Sequence, residues 1–361
     1  MTHSTKHQDI SEALQAQVKQ AAAHKEKLNI TGGNSKAFLG LVNPDAAVLD
    51  VSHHSGIISH EPTELVITAR AGTRLEDINQ TLTAHNQTLA FEPPAYTSDA
   101  TIGGTIACAL AGPAKPYLGG ARDYIIGCTV LTGHGQILKF GGEVMKNVAG
   151  YDVSRLMTGA MGTLGVLLDV SLKILPATSY AVTLTTDATA EESIEQLQAL
   201  GGMGLPVTAS AWYQDKIHIR LAGSTGTVNP AARKLNANKS NEPELWQQLK
   251  DHTHPFFNQQ VSLWRINVPA LTPPLAIEGE WLYDWAGMQR WLLTNADAKD
   301  IRNQCIAVGG NATLFRAKEK IKQKVDVFQP LPPSLLKLHR RLKQEFDPEN
   351  IFNYQRLFPE L

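Results

Sequence analysis

The sequence predicts an α+β protein with two domains followed by a C-terminal helix, and three observations predict it. The chain has 361 residues, 43% of them hydrophobic, which is enough for roughly two domains that each bury a core. Helix-like and strand-like hydrophobic patterns alternate, and glycine-rich corners concentrate in the first half. Prolines mark the boundaries, so we expect domains at 1–176 and 177–330 and a terminal segment at 331–361.

In the first domain, apolar residues at helical spacing predict helices, and short apolar runs that end in glycine predict strands. The stretch 90–120 is rich in small residues and too poor in bulky ones to form a core of its own. We expect helices at 10–22, around 75–82 and at 152–157, and strands at 28–31, 47–51, 65–69, 124–131, 136–140 and 166–175.

Beyond Pro176 the glycine density falls and a second α+β pattern begins. A last helix at 334–346 carries an apolar stripe and stops at Asp347-Pro348, because proline cannot continue a helix. Between these points we expect strands at 181–185, 207–212, 216–221, 262–268, 280–285 and 305–308, and helices at 190–200, 230–235, 242–251 and 288–295.

Composition excludes several classes of protein. The chain has 33 Lys+Arg against 34 Asp+Glu, whereas a nucleic-acid-binding protein normally has a basic face. The start of the chain lacks the apolar stretch of a signal peptide, and no run approaches the ~20 apolar residues that span a bilayer. We therefore expect a cytoplasmic protein that only its partners could hold at the inner face of the membrane.

The cysteines and histidines do not form a metal site in the sequence. Cys108, Cys128 and Cys305 are scattered, whereas zinc sites, iron–sulfur clusters and disulfide frameworks need paired spacing. The histidines lie in polar stretches without a carboxylate at ligand spacing. Buried free cysteines and no bound metal are the expectation.

Four glycine-rich corners are candidates for chemistry: 30–36, 100–107, 146–152 and 162–166. Consecutive glycines allow positive φ and bring several N–H groups onto one anion. None has the spacing of a Rossmann or Walker A motif, and each alone fits a tight turn or a closely packed helix start. Together they suit an extended dinucleotide.

The order of these corners resembles the PCMH-type (vanillyl-alcohol-oxidase-like) FAD-binding family, and in particular the FAD-binding subunits of bacterial glycolate oxidase. The match covers the first half of the chain almost continuously and resumes at the last helix. The segments that carry it are 31–35, 65–73, 100–104, 122–127, 141–152, 162–166 and 346–353. The resemblance implies an FAD domain of two α+β subdomains, a smaller α+β cap domain, and a C-terminal helix that returns to the FAD domain.

The resemblance also implies how FAD would be held, without a covalent link. The diphosphate would lie on the first glycine corner, with help from the second. The fourth corner would line the path of the cofactor, and the C-terminal segment would approach the isoalloxazine. The residues concerned are Gly32, Gly33, Asn34 and Ser35; Thr101, Gly103 and Gly104; Pro94 and Ala95 near the flavin ring; Gly162, Gly165 and Val166; and Asn353. The turn after Asn353 departs from the family, because Asn-Tyr-Gln-Arg replaces Asn-Pro-Gly-Arg.

The function implied is that of an FAD-dependent oxidoreductase subunit. It would belong to a complex that oxidises glycolate, and D-lactate as a further substrate, to the 2-oxo acid. Electrons would pass to a larger catalytic flavoprotein subunit and to an iron–sulfur subunit. Arg265 and Arg316 could pair with the substrate carboxylate, although an arginine chosen in this way is more often a surface or salt-bridge residue. Two alternatives stay open: a structural or regulatory flavin-fold subunit, and a self-sufficient flavin oxidase of hydroxy acids or alcohols.

Overall fold

The computed structural model describes residues 7–142 and 152–361, which form two compact units. Unit 1 takes its described residues from Met1–Leu110, Gly120–Ala177 and Pro330–Leu361, and unit 2 from Ala111–Gly119 and Thr178–Gln329. The sequence placed 111–119 in the first domain, but this segment belongs to unit 2. The reason is its bonding: the Tyr117 hydroxyl lies 2.5 Å from Ser210 Oγ, and Trp285 Nε1 donates to the Gly112 carbonyl at 3.0 Å.

Unit 1 is built around a five-stranded antiparallel sheet with the order β3-β4-β8-β6-β7. Its central strand is almost wholly buried because both of its faces are covered. The helices are α1 (Ser11–His24), α2 (Leu75–Ala84), α3 (Ile102–Cys108), α5 (Ala121–Tyr124), α6 (Val153–Met157) and α12 (Pro333–Phe346). The strands are β1 (Leu28–Thr31), β2 (Ala47–Asp50), β3 (Ile57–Glu61), β4 (Val66–Arg70), β5 (Gln87–Thr88), β6 (Ile125–Leu131), β7 (Ile137–Gly141), β8 (Val166–Lys173) and β9 (Leu175–Pro176).

The cofactor-binding motifs lie at the ends of these elements. Strands β1 and β2 form a separate parallel pair, and the chain leaves β1 directly into the first glycine corner. The second corner begins α3, and the fourth precedes β8. The third corner, 146–152, lies outside the described residues except for Asp152, whose side chain accepts a hydrogen bond from the Arg155 N–H and begins α6 as expected.

Unit 2 is an eight-stranded antiparallel sheet with the order β13-β10-β12-β11-β15-β16-β14-β17. Two apolar cores form on it, one under α7 and α8 and one under α10. The strands are β10 (Tyr180–Asp187), β11 (Val207–Tyr213), β12 (Lys216–Gly223), β13 (Asn238–Lys239), β14 (Leu263–Asn267), β15 (Glu280–Asp284), β16 (Gln289–Leu293) and β17 (Asn311–Arg316). The helices are α4 (Lys115–Leu118), α7 (Ala190–Leu200), α8 (Thr225–Leu235), α9 (Leu245–Asp251), α10 (Ala298–Ala307) and α11 (Glu319–Lys322), with 3₁₀ turns at Pro255–Phe257 and Trp285–Gly287.

Two sequence predictions in unit 2 are wrong. The helix expected at 288–295 is strand β16, which lies between two strands and is buried along its whole length, so it shows no alternation. The strand expected at 305–308 is the end of α10, where Ile301 and Cys305 face the core four residues apart. A short apolar run fits a buried strand and a buried helix equally well, and only packing decides between them.

The C-terminal helix also differs from its pattern. The apolar stripe of α12 includes Leu335 and Leu338, yet these side chains are 46% and 52% exposed. The residue that α12 buries is Lys343. Within residues 7–142 and 152–361, no helix has both the length and the hydropathy that a membrane crossing requires.

Candidate cofactor site

A cavity of about 390 Å³ lies in unit 1, where the glycine corners meet. Its wall includes Gly32, Gly33, Asn34 and Ser35, which we call the glycine loop. The start of α3, the turn before β8 and the C-terminal segment complete the wall. The sequence motifs that are far apart in the chain therefore surround one space.

The glycine loop needs its glycines because another segment approaches it closely. A Cβ on Gly33 would lie 1.4 Å from the Asp99 carbonyl oxygen, and one on Gly32 would lie 2.6 Å from Thr101 Oγ1. The positive φ expected of the glycines occurs at Asn34 instead, with φ 52°. Asparagine tolerates this conformation. The two glycines thus serve contact with residues 99–101, and Asn34 makes the turn.

The N–H groups of the glycine loop are unused donors. Within the described residues, no group accepts a hydrogen bond from the N–H of Gly32, Gly33, Asn34 or Ser35. The Ser35 hydroxyl lies 3.2 Å from Lys36 Nζ, which places an ammonium beside the loop. Several adjacent N–H groups next to a cation form an anion-binding concavity, so the loop fits the diphosphate of a dinucleotide.

The second corner contributes space and few donors. Thr101 begins α3 and its hydroxyl accepts from the Gly104 N–H at 3.3 Å, while the Gly103 N–H donates to the Ala71 carbonyl at 2.8 Å. A Cβ on Gly103 would lie 2.5 Å from the Ala71 Cβ. Thr101, Gly103 and Gly104 all line the cavity, but the N–H groups of the two glycines are already bonded inside the protein.

The fourth corner forms the part of the wall next to Ile30 and Asn353. Gly162 has φ 72°, and a Cβ there would lie 2.7 Å from Asn353 Nδ2. Gly165 and Leu167 line the cavity, whereas Val166 does not and is fully buried. Side chains alternate along a strand, so the residue between two cavity-facing positions points into the core. Val166 therefore supports the wall from behind.

Hydrogen bonds of Asn353 connect the C-terminal segment to the cavity wall. Its Oδ1 accepts from the Ile30 N–H at 2.8 Å, and its Nδ2 donates to the Met161 carbonyl at 2.7 Å. Its own N–H donates to the Leu28 carbonyl at 2.9 Å. Because both ends of the amide are bonded, Asn353 positions β1 and the turn before β8 around the cavity.

A buried ion pair supports Asn353 from below. Lys343 Nζ donates to Asp347 Oδ2 and to the Thr163 carbonyl, both at 2.6 Å, and to the Phe352 carbonyl at 3.0 Å. The Asp347 carboxylate accepts from the N–H groups of Ile351 and Phe352. Burial lowers the pKa of Lys343, and the adjacent Asp347 opposes that shift. Every donor of the ammonium is used, so this network holds the chain in place just before Asn353.

The whole chain aligns with one relative. It is 43% identical over 354 residues to glycolate oxidase subunit GlcE of Escherichia coli (strain K12), and the alignment covers 98% of this chain and 99% of that protein. This chain belongs to the GlcE family of glycolate oxidase subunits. The profile of a family described as an FAD binding domain matches residues 9–141 of this GlcE-family chain. The predicted family, the FAD cofactor and the assignment to FAD-dependent oxidoreductases are confirmed.

Other relatives align with a smaller part of the GlcE-family chain. Glycolate oxidase subunit GlcD of Bacillus subtilis (strain 168) is 32% identical over 157 residues, which are 43% of this chain and 32% of that protein. D-lactate dehydrogenase of Anaerostipes hadrus is 29% identical over 175 residues, which are 48% of this chain and 36% of that protein. GlcE and GlcD are both named as subunits of glycolate oxidase. This confirms the expectation of an enzyme with several subunits.

Solved structures extend the likeness to both units. A structure of alkyldihydroxyacetonephosphate synthase matches with a TM-score of 0.66 at 12% identity, covering 95% of this chain and 75% of that one. At this identity the likeness concerns the fold alone. The predicted fold class of the GlcE-family chain is confirmed by it together with the FAD-domain match.

Besides Val166, two predicted residues of the GlcE-family site lie outside the cavity wall. Pro94 is buried and Ala95 half-buried, and neither lines the cavity. Their neighbour Tyr96 connects them to it, because the Lys36 Nζ lies 5.8 Å from the Tyr96 ring centroid and the Phe38 ring packs edge-on against that ring. Residues 94–96 therefore lie close to Lys36, the cation that follows the glycine loop.

Arg356 and Cys108 are among the cavity residues of this GlcE-family chain that were not predicted from the sequence. Arg356 reaches the cavity from the turn after Asn353, where its N–H donates to the Asn353 carbonyl at 3.0 Å. The departure from the family ending drew attention to this turn, but its arginine was not assigned a role. The signal that could have identified Arg356 is a cationic residue three positions after an asparagine already assigned to the site.

Both candidate arginines, Arg265 and Arg316, lie in unit 2 within a cluster of histidine and aromatic side chains. Arg316 Nη1 lies 3.0 Å from Nδ1 of His252, whose ring stacks on Phe257 with centroids 3.8 Å apart. Burial, and then the charges of Arg316 and Arg265, lower the pKa of His252 well below its usual 6.5, so the neutral ring accepts the hydrogen bond. The Arg265 guanidinium carbon lies 5.5 Å from the Phe315 centroid.

A second cavity, of about 420 Å³, lies in unit 2 and is lined by His218, His254 and Glu242. His254 Nδ1 accepts from the Phe256 N–H at 3.3 Å, and burial lowers the pKa of both histidines. Within the described residues, no group of three histidine, cysteine, aspartate or glutamate side chains could hold a metal ion. These side chains are arranged as hydrogen-bonding groups in a pocket.

Proposed function

We propose that this chain binds FAD without a covalent link in the unit 1 cavity and acts as a redox subunit of a glycolate-oxidising complex. The observation that carries the proposal is the glycine loop, whose four consecutive N–H groups have no acceptor among the described residues. Adjacent main-chain N–H groups without an acceptor form an anion-binding concavity, and the diphosphate of FAD would supply the acceptor. Bound FAD supplies hydride and electron transfer, with N5 of the flavin as the acceptor.

The roles of the residues follow from their contacts. Gly32, Gly33, Asn34 and Ser35 donate to the diphosphate. Thr101, Gly103 and Gly104 leave room for it beside α3. Gly162 and Gly165 leave room at the turn before β8. Asn353 holds the wall segments at their spacing. Pro94 and Ala95 support the Tyr96 side of the cavity.

The substrate and the partners are proposed from the relatives. Their names describe glycolate oxidase subunits and dehydrogenases of D-lactate and D-2-hydroxyglutarate, which are all 2-hydroxy acids. We assign glycolate to the complex, with a larger flavoprotein subunit and an iron–sulfur subunit as partners at the cytoplasmic side of a membrane. Cys108, Cys128 and Cys305 are dispersed, so a cluster would be bound by the partner.

A second candidate function is a structural or regulatory subunit that retains FAD without reacting with glycolate. It is favoured by the unit 2 cluster, because Arg316 already donates to His252. A carboxylate would have to share the Arg316 guanidinium with His252. In this case substrate chemistry takes place on the partner flavoprotein.

Anaerobic absorbance spectra separate these functions. The purified chain is measured with bound FAD, alone and in complex with its partner subunits, before and after glycolate is added. Flavin that bleaches only in the complex supports the redox subunit. Flavin that stays oxidised while the partner flavin bleaches supports the structural subunit, and bleaching in the isolated chain supports a self-sufficient oxidase. A chain that takes up no FAD contradicts the cofactor assignment itself.

A further inference from the structure

Arg356 is fixed at the end of the glycine loop by its main chain. Its N–H donates to the Asn353 carbonyl at 3.0 Å, and its carbonyl accepts from the Leu41 N–H at 3.3 Å. A Cβ on Gly40, which has φ 81°, would lie 2.6 Å from the Arg356 carbonyl oxygen. The loop that follows Lys36 therefore wraps closely around Arg356.

The guanidinium of Arg356 lines the cavity beside the unused N–H groups. Its Nη2 lies 3.4 Å from the Lys36 carbonyl oxygen, one residue after Ser35. A cation at this place continues the row of donors that begins at Gly32. The positive side of the cavity thus extends from the glycine loop to the C-terminal segment.

Arg356 is half-buried, and its guanidinium has an unused donor. Its Nε is buried and has no acceptor, and among the described residues no carboxylate forms an ion pair with it. Burial lowers the pKa of Arg356, and the neighbouring Cys108 only partly opposes the shift. Arginine remains charged in proteins, so an anionic group that enters the cavity beside Arg356 would be stabilised by it.

We propose that Arg356 binds the diphosphate of FAD, together with the N–H groups of the glycine loop. The inference rests on the proposed FAD site and adds a side-chain cation to it. A guanidinium forms two parallel hydrogen bonds to phosphate oxygens and carries a full positive charge, which main-chain N–H groups lack. Arg356 therefore makes the site selective for FAD over flavins without a diphosphate.

The test is the ratio of two affinities, measured by flavin fluorescence on the full-length apoprotein. FAD and riboflavin are titrated against the wild type, Arg356→Met and Arg356→Lys. Arg356→Met is expected to weaken FAD binding at least about tenfold and to leave riboflavin binding nearly unchanged, because a charge-assisted hydrogen bond is lost. Arg356→Lys keeps the charge without the paired geometry, so its loss is expected to be smaller. The control is Arg340→Met, which removes an exposed cation from α12 and should change neither affinity.

The outcomes decide separately on the site and on Arg356. Wild-type affinity for FAD in Arg356→Met overturns the inference and leaves the FAD site standing. An equal loss for FAD and riboflavin also overturns it, since Arg356 then acts on the ring or on folding alone. The ratio stays informative if a variant is less stable, because a folding defect weakens both ligands by the same factor. A wild-type chain that binds neither flavin contradicts the FAD site, and with it the inference.

Discussion

In unit 1 the main chain forms the wall of the cavity, whereas in unit 2 the side chains of histidine and arginine satisfy one another. The glycine loop approaches residues 99–101 so closely that Gly33 has no space for a Cβ, and its N–H groups remain without acceptors in the described chain. The Arg316 guanidinium, by contrast, already donates to His252. Both regions are polar, but the first has four consecutive main-chain N–H groups without an acceptor among the described residues.

A ligand site and a packed polar cluster differ in how many of their hydrogen-bond donors lack a partner within the protein. A cluster that satisfies its own hydrogen bonds contributes to stability, and its loss is expected to affect folding more than binding. A wall with unused donors is incomplete until a ligand binds. Substitutions in the two units should therefore differ in whether FAD affinity or unfolding changes.

The largest expected effect tests whether the unit 1 wall depends on its buried ion pair. Lys343→Met leaves the Asp347 carboxylate buried without its cation and leaves the Thr163 carbonyl without a donor. Removal of one partner of a buried pair costs about 3–5 kcal/mol, so denaturant unfolding of the apoprotein should show a loss of that order. Lys337→Met, on the exposed side of α12, should stay within about 0.5 kcal/mol of the wild type. A loss below about 1 kcal/mol in Lys343→Met would contradict the supporting role of the pair.

The next effect tests the close approach of the glycine loop. Gly33→Ala places a methyl group against the Asp99 carbonyl, so the loop must move and the apoprotein should lose about 1–3 kcal/mol. FAD affinity should fall at the same time, because the N–H groups of the glycine loop would no longer point toward the same phosphate oxygens. The matched control lies in unit 2: Gly226→Ala in α8, where the nearest atom to a Cβ is 3.8 Å away, should leave FAD affinity unchanged. Unchanged FAD affinity in Gly33→Ala would place the diphosphate elsewhere.

The smallest effect belongs to unit 2 and depends on pH. The pKa of His252 is lowered well below 6.5 in the folded state, so below about pH 6.5 the unfolded chain takes up a proton that the folded chain refuses. The free energy of unfolding should therefore fall from about pH 7 to about pH 5, by at most about 1.4 kcal/mol per pH unit from this residue. His252→Gln should flatten this dependence while FAD affinity stays the same, whereas the exposed-site variant His53→Gln should keep the wild-type slope. An identical slope in His252→Gln would show that its ring is protonated in the fold.

The predicted elements and the observed ones agree where the pattern is local. The strand at 28–31, the helix around Leu75 and Ile78 and the long strand before Pro176 are all present, because their apolar spacing or their flanking glycines and prolines identify them. The errors at 288–295 and 305–308 fall on buried segments without alternation. There the choice between helix and strand depends on which neighbours cover the segment.

The sequence by itself determined the family and the cofactor, since the glycine corners and their order are local features of the chain. Tertiary structure decided which donors remain for a ligand. The Gly103 N–H is used by Ala71, and Asn353 bonds to Ile30, 323 residues away in the chain. Likewise Lys343 is buried by a carbonyl 180 residues away, although its sequence neighbours place it on an exposed helix. A hydrogen-bonding group is free or occupied according to what packs against it, and such partners come from distant parts of the chain.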